Sequence, residues 1–164
     1  SAKEHDQASF DRYVYGSAEV VGLMCLAVFV KGLDYTADEK TTLVTGARAL
    51  GAAFQKVNFL RDLAADFKKL GRSYFPGVNV ESFDEATKAR LVEDIRKDLA
   101  NSAKTLPLLD PAARKAVTAA QLLFQELNEK ISKTSASELI STRISVSNAR
   151  KLILLIKSYL GAKP

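Results

Sequence analysis

Residues Gln55 to Asp66 read QKVNFLRDLAAD, a helical run that sets two aspartates four positions apart with no basic residue spaced to serve both. Carboxylates at i and i+4 share a helix face and repel by roughly 0.2 to 0.5 kcal/mol. A compensating group is therefore expected from outside the run. On a wheel of about 100° per residue, Gln55, Asn58, Asp66 and Lys69 fall within about 40° of Asp62 and make one narrow polar stripe. Lys69 is spaced to offset Asp66 but not Asp62. Most of the remaining circumference is apolar or small, through residues such as Leu50, Phe54, Val57, Leu60 and Leu63. Such a helix is expected to be buried nearly all round.

Two readings of the stripe stay open on the wheel alone: the solvated face of an amphipathic helix, or the lining of a cavity. A cavity constrains the chemistry. Two carboxylates and an amide oxygen on one face are hard ligands of the type Mg²⁺ accepts, and Mg²⁺ usually shares its shell with substrate phosphates. Arg61, Lys68, Lys69 and Arg72 lie around the stripe. They are either a solvated basic helix end, favourable to the dipole, or donors to a magnesium-bridged diphosphate.

Helix signals extend over the whole chain. Thr36 with Glu39, Ser82 with Glu85 and Ser135 with Glu138 have capping-box spacing, and Asp110-Pro111 puts an acceptor at the N-cap and proline at the first helical position. The stretches LGRSYFPG, after Leu70, and TLPLLDP, after Lys104, read as stops, and Gly161 follows the last apolar turn. These signals predict helices over 10–31, 37–70, 83–104, 111–133, 136–141 and 147–160. The segment RISVS at 143–147 alternates in the β manner but has no partner strand, so an extended break between helices is expected. The fold class is all-α.

With 164 residues, 47% hydrophobic and 26% charged, the chain suits one globular domain with a sizeable core. A net charge of +5 favours anionic partners. Aromatic residues are not interleaved with basic ones as a nucleic-acid surface would require, so no nucleic acid is expected. Cys25 is the only cysteine and His5 the only histidine, which excludes an intrachain disulfide and a zinc site and suggests a reducing, cytoplasmic setting. The apolar run Val20 to Val30 is short of the ~20 residues a bilayer span needs. The absence of an initiator methionine fits a processed or truncated product.

The stretch LGAAFQKVNFLRDLAADFKKLGRSYFP, Leu50 to Pro76, resembles the second aspartate-rich signature of the squalene and phytoene synthase family through Gly51, Gln55, Asn58, Arg61, Asp62, Asp66, Arg72, Tyr74 and Pro76. Upstream, YVYGSAEVVGLMCLAV is similar to the family's other signature, with Tyr13, Ala18, Val21 and Gly22 in register. It departs at Val14 and at Glu19, where small residues are usual, which leaves the polarity near Glu19 open. TRISVSNARKLILL resembles the closing segment, with Arg143 and Lys151 in place.

The resemblance implies part of the isoprenoid synthase helical fold and a head-to-head condensation of two isoprenyl diphosphates through a cyclopropylcarbinyl diphosphate. By position, Asn58, Asp62 and Asp66 would bind Mg²⁺, with Mn²⁺ as a substitute, and Arg61, Arg72 and Arg143 would grip diphosphate. Gln55 would contact substrate, and Ser17, Val21 and Gly22 would line the tunnel for the prenyl tail. Tyr13 matches the catalytic tyrosine; a buried core tyrosine is the alternative on the residue alone. The expected reaction is geranylgeranyl diphosphate to phytoene in a bacterial carotenoid-type enzyme. The alternatives are a squalene or dehydrosqualene synthase acting on farnesyl diphosphate, with NADPH required for squalene only, and a helical interaction or lipid-binding protein without the chemistry.

The family's first aspartate-rich motif has no counterpart here, so residues 1–164 read as the C-terminal portion of such a domain, lacking its N-terminal part. Alone, the chain is expected to be inactive. The apolar faces of residues 13–30 and 50–67 are expected to lack cover, to be met by the N-terminal portion, a second chain or a homo-oligomer. Peripheral membrane contact is also expected.

Overall fold

A computed structural model describes residues 6–70, 74–162 and 164, and every regular element among them is helical. A long first rod comprises α1 (Gln7–Val14), a π turn (Tyr15–Glu19) and α2 (Val20–Phe29). α3 (Ala37–Arg61) and α4 (Leu63–Leu70) follow, then α5 (Glu85–Ala103), α6 (Pro111–Lys133), the single turn α7 (Ala136–Leu139) and α8 (Asn148–Tyr159). α3 runs through the middle and packs against the π turn, α2, α5 and α6, while α8 lies on α6. The core gathers Val57 and Leu60 of α3, Ile95 of α5, Ile131 of α6 and Leu139 of α7, all fully buried.

Most boundaries follow the caps. Thr36 accepts from the Glu39 amide at 3.2 Å while Glu39 accepts from the Thr36 amide at 2.8 Å, which is the full reciprocal box. Asp110 accepts from the amides of Ala112 and Ala113 ahead of Pro111. Three expectations need correction. The first helix starts at Gln7 because Asp6 caps it through the Ser9 amide. Ser82 does not cap α5; Asp84 does, through Thr87, and Glu85 instead accepts from the Ala136 amide and pairs with Lys88. The helix expected over 37–70 breaks at Asp62, which sits at φ −100° and ψ 9°. Its α-type bonds nonetheless continue, from Asp62 N to the Asn58 carbonyl and from Asp66 N to the Asp62 carbonyl.

The first rod also departs from a plain helix. In the π turn the Val20 amide reaches back five residues to the Tyr15 carbonyl, an extra-residue turn of a kind often found at functional sites. From Gln7 to Phe29 the rod is long and apolar enough to cross a membrane by length and composition. Asp11, Arg12 and Glu19 lie along it, however, and its backbone is pressed on α3. A Cβ added to Gly51 would stand 2.5 Å from the Ala18 carbonyl oxygen, and one added to Gly22 would stand 2.3 Å from that of Ala47. The two helices therefore meet backbone to backbone.

Residues 50–67, expected to lack cover, bury Ala52, Ala53, Val57, Phe59, Leu60, Leu63 and Ala64 within this chain. α2 has no buried residue and leaves Val21, Met24 and Val28 exposed. The RISVS link is extended, with Ile144 and Val146 inward and Arg143, Ser145 and Ser147 outward. Between α5 and α6 two buried amides span the interface: Gln121 donates to the Leu99 carbonyl at 2.7 Å and Asn128 to the Val92 carbonyl at 3.1 Å.

Glycine substitutions test the close approach. Gly51→Ala forces a methyl into fixed backbone and is expected to cost about 1–3 kcal/mol of overpacking, more than the gain of about 1 kcal/mol in helix propensity. Gly16→Ala, where a Cβ meets nothing within 4 Å, is expected to be neutral or stabilising. Urea midpoints moving in the same direction for both would refute the backbone contact.

Candidate functional site

Gln55 and Asn58 project from one face of α3, and Asp62 lies at the joint where α3 gives way to α4. The compensating charge for Asp62 comes from two sides. Arg61 Nη2 donates to Asp62 Oδ2 at 2.6 Å, and Arg143 Nε, eighty-one positions further along the chain, donates to Oδ1 at 2.6 Å. Partial burial pushes the Asp62 carboxyl up, but hydrogen bonds and charge from Arg61 and Arg143 outweigh it and hold the group below the usual carboxylate range. Asp62 is thus ionised at neutral pH. Ile144 and Val146, anchored in the core, fix the link that delivers Arg143. Asp66, half-buried on α4, completes the stripe one turn on.

Tyr13 is 40% exposed, which rules out the buried-core reading. Its ring stacks on Tyr74 at 5.7 Å and leans on Phe59 at 5.9 Å, while Phe59 and Tyr74 stack nearly parallel at 4.4 Å. Phe10 and Phe75 extend the cluster from behind. Sequence reading found Tyr13 but missed this platform. Its signal was present in Phe10 and Tyr13 three apart on one helix face and in the adjacent pair Tyr74-Phe75.

The three residues expected at the prenyl tail meet Gln55, expected to contact substrate, in one cavity of about 400 Å³. Ser17, Val21 and Gly22 form one wall, Gln55 and Phe54 another, and Val117 of α6 is part of the third. Gln55 stands seven residues before Asp62, roughly 10 Å along the helix axis, so the cavity opens beside the near end of the polar stripe. Glu19 is absent from its lining. Glu19, two positions from both Ser17 and Val21 and so roughly half a turn round the rod from each, faces the opposite side, where it pairs with Arg48 at 2.6 Å in a separate polar groove that also holds Lys56, Asp94 and Asp98. The usual smallness at that position is therefore broken without adding charge to the apolar cavity.

Arg72 lies outside the described residues, as do the side chains of Lys68 and Lys69. Among the described residues no three His, Cys, Asp or Glu side chains come together as a metal-binding group. The stripe offers two carboxylates and an amide oxygen, a donor set whose hard oxygens suit Mg²⁺ as part of a shell completed by water and phosphate.

A family profile described as squalene/phytoene synthase matches residues 2–150. A solved structure described as a dehydrosqualene synthase in complex with ligand superposes with a TM-score of 0.74 at 25% sequence identity. The match covers 98% of this chain and 59% of that one, so the chain spans about three-fifths of the length of that relative. No curated protein sequence matches.

Arg143→Gln tests the Asp62 site through its pH dependence. A carboxyl held below its unfolded value of about 3.9 adds stability that is present above that pH and lost as pH falls through the folded value. Removing Arg143 is expected to raise the Asp62 midpoint in a carbon-13 carboxyl titration and to move acid unfolding to higher pH. An unchanged Asp62 midpoint would mean that Arg143 does not hold the carboxylate in solution.

Proposed function

We propose that this chain, which belongs to the squalene/phytoene synthase family, supplies the second aspartate stripe, the aromatic platform and the prenyl pocket of a head-to-head isoprenyl diphosphate synthase. The observation that carries this reading is the convergence of Ser17, Val21, Gly22 and Gln55 on one apolar cavity beside the Asn58, Asp62 and Asp66 stripe. A cavity of about 400 Å³ lies in the range typical of small-ligand pockets. A hydrocarbon tail would enter it with no charge to desolvate, and the diphosphate end would lie toward the polar stripe.

In this reading the chain's own groups divide the work. Arg61 and Arg143 neutralise Asp62 in the substrate-free protein, and the same guanidinium groups are suited to grip diphosphate bidentately, with Arg72 as a third. Asn58, Asp62 and Asp66 would hold Mg²⁺, or Mn²⁺ in its place; when bound, the ion supplies charge neutralisation for the departing diphosphate. Tyr13, 40% exposed and backed by Phe59 and Tyr74, would offer the π face of its ring and its hydroxyl oxygen to a cationic carbon. The low polarity of the cavity beside it would exclude water from that cation.

The proposed reaction joins two geranylgeranyl diphosphates C1 to C1′ toward phytoene. A second reading, joining two farnesyl diphosphates, is favoured by the likeness to a dehydrosqualene synthase; NADPH enters only if the product is squalene. The part of the fold that this chain's match leaves uncovered in that relative would come from an N-terminal portion or a second chain, and the chain alone is expected to be inactive.

Product analysis with both diphosphates and Mg²⁺, on the chain joined to that upstream portion, tests the reading. Phytoene or dehydrosqualene is expected, and neither product with either substrate would sink it. In the active protein Asp62→Asn is expected to lower turnover by on the order of 100-fold or more while the melting temperature stays within a few degrees of the parent. Tyr13→Phe is expected to depress kcat far more than it raises KM, as for a group acting on the cationic transition state. A raised KM with preserved kcat would make Tyr13 a binding residue.

A further inference from the structure

The 26 residues from Leu139 to Pro164 hold five basic residues, Arg143, Arg150, Lys151, Lys157 and Lys163, and no acidic one. Residues 1–138 hold nineteen of each sign, so the entire formal charge of +5 resides in this last segment. Within it α8 is bound to α6 by a thin stripe, with Leu154 and Ser158 buried and Arg150 paired to Glu126 at 2.8 Å. The rest of the helix is bare. Leu152, Ile153, Leu155, Ile156, Tyr159 and Leu160 are 45 to 82% exposed. On a helical wheel they fill an arc of about 160° opposite Leu154, with Lys151 and Lys157 at its two edges, each about 60° from Leu154.

Both edge lysines are exposed and, among the described residues, neither forms an ion pair. Lys115 of α6 adds a third exposed cation, 5.3 Å from the Tyr159 ring centre. An apolar arc edged by lysines and carrying a tyrosine has the composition of a helix that lies in a bilayer interface, with alkyl stems on the hydrocarbon side and ammonium groups among headgroups. The contrast with α2 is informative. Its exposed apolar residues Val21, Met24 and Val28 stand in a ten-residue helix without a single charge, beside the apolar cavity, so nothing there selects an anionic partner.

We propose that α8 is an interfacial docking helix that seats the protein on an anionic lipid bilayer. Hydrophobic burial of Leu152, Ile153 and Ile156 drives the attachment, and Lys151, Lys157 and Lys115 select negatively charged headgroups. The inference does not rest on the reaction proposed above, because it uses no residue of the aspartate stripe or the prenyl cavity.

Flotation with phosphatidylcholine vesicles, alone and mixed with phosphatidylglycerol, tests it on the chain itself. Partitioning into the mixed vesicles, weakened by salt and near background on phosphatidylcholine alone, is expected. Ile153→Gln with Ile156→Gln should lower partitioning by about ten-fold or more, and Lys151→Gln or Lys157→Gln by about five-fold each. All four positions are exposed, and an unchanged thermal melt confirms that the variants fold. Met24→Gln with Val28→Gln, both on the exposed face of α2 and outside the cavity lining, should leave vesicle binding intact. Equal binding to neutral and anionic vesicles, or binding abolished by the α2 variant and untouched by the α8 variants, overturns the proposal. So does absence of binding alongside a dimer that the α8 variants dissociate, which would make this face a contact between copies, and so does binding that is lost once the chain is joined to the upstream portion, which would make it a contact within the larger fold.

Discussion

The contact of α3 with the π turn and α2, closed to any side chain at Gly51 and Gly22, is the constraint on which the site depends. Backbones this close leave little freedom to slide or rotate, so side chains on either helix are aimed by the contact itself. The π turn sits against Gly51, and its extra residue changes the helix phase midway along the rod. Tyr13, before it, reaches the aromatic platform; Ser17 and Val21 reach the apolar cavity; Glu19 turns away to Arg48. Residues only a few positions apart thus serve an aromatic surface, a hydrocarbon pocket and a charged groove without mixing them.

Electrostatics adds a second layer. An ionised carboxylate that is only a quarter exposed needs partners, and Asp62 takes one from its own helix and one from the far end of the chain. Before any ligand arrives, the cationic and anionic parts of the site neutralise one another. On the function proposed above, a diphosphate carrying a divalent ion would bring both signs at once and so replace both halves of that arrangement without stranding either.

Much of this was legible in the sequence because local chemistry decides it. The Thr36 box, the Asp110-Pro111 start and the six helical stretches depend on hydrogen bonds within a few residues, and RISVS is the extended break its alternation led one to expect, with Ile144 and Val146 turned inward. The polar stripe followed from helical period alone. What escaped was set by tertiary contact. Ser82 and Asp84 are both chemically able caps, and the choice of Asp84 left Glu85 free to bind the start of α7 across the fold. The π turn has no compositional mark, since YGSAE reads as ordinary helix, and only the α3 backbone opposite makes sense of it. Arg143 was visible as a cation, but its pairing with Asp62 closes over eighty-one positions and no periodicity spans that.

The two buried amides between α5 and α6 bear on how the chain avoids misfolding. Gln121 and Asn128 are seven apart, and so are the carbonyls of Leu99 and Val92 that accept from them, in reverse order along the partner helix. Two antiparallel helices with Leu, Ile and Ala faces could otherwise settle a turn too early or too late at modest cost, since apolar contact discriminates poorly between neighbouring registers. A slip that carried both amides off these carbonyls would leave them undonated in a buried interface, where Oε1 of Gln121 and Oδ1 of Asn128 already have no donor among the described residues, a penalty of about 1–3 kcal/mol for each group left unmade. The pair therefore favours one alignment of α6 on α5, and that preference is encoded at two positions that contribute little attraction of their own.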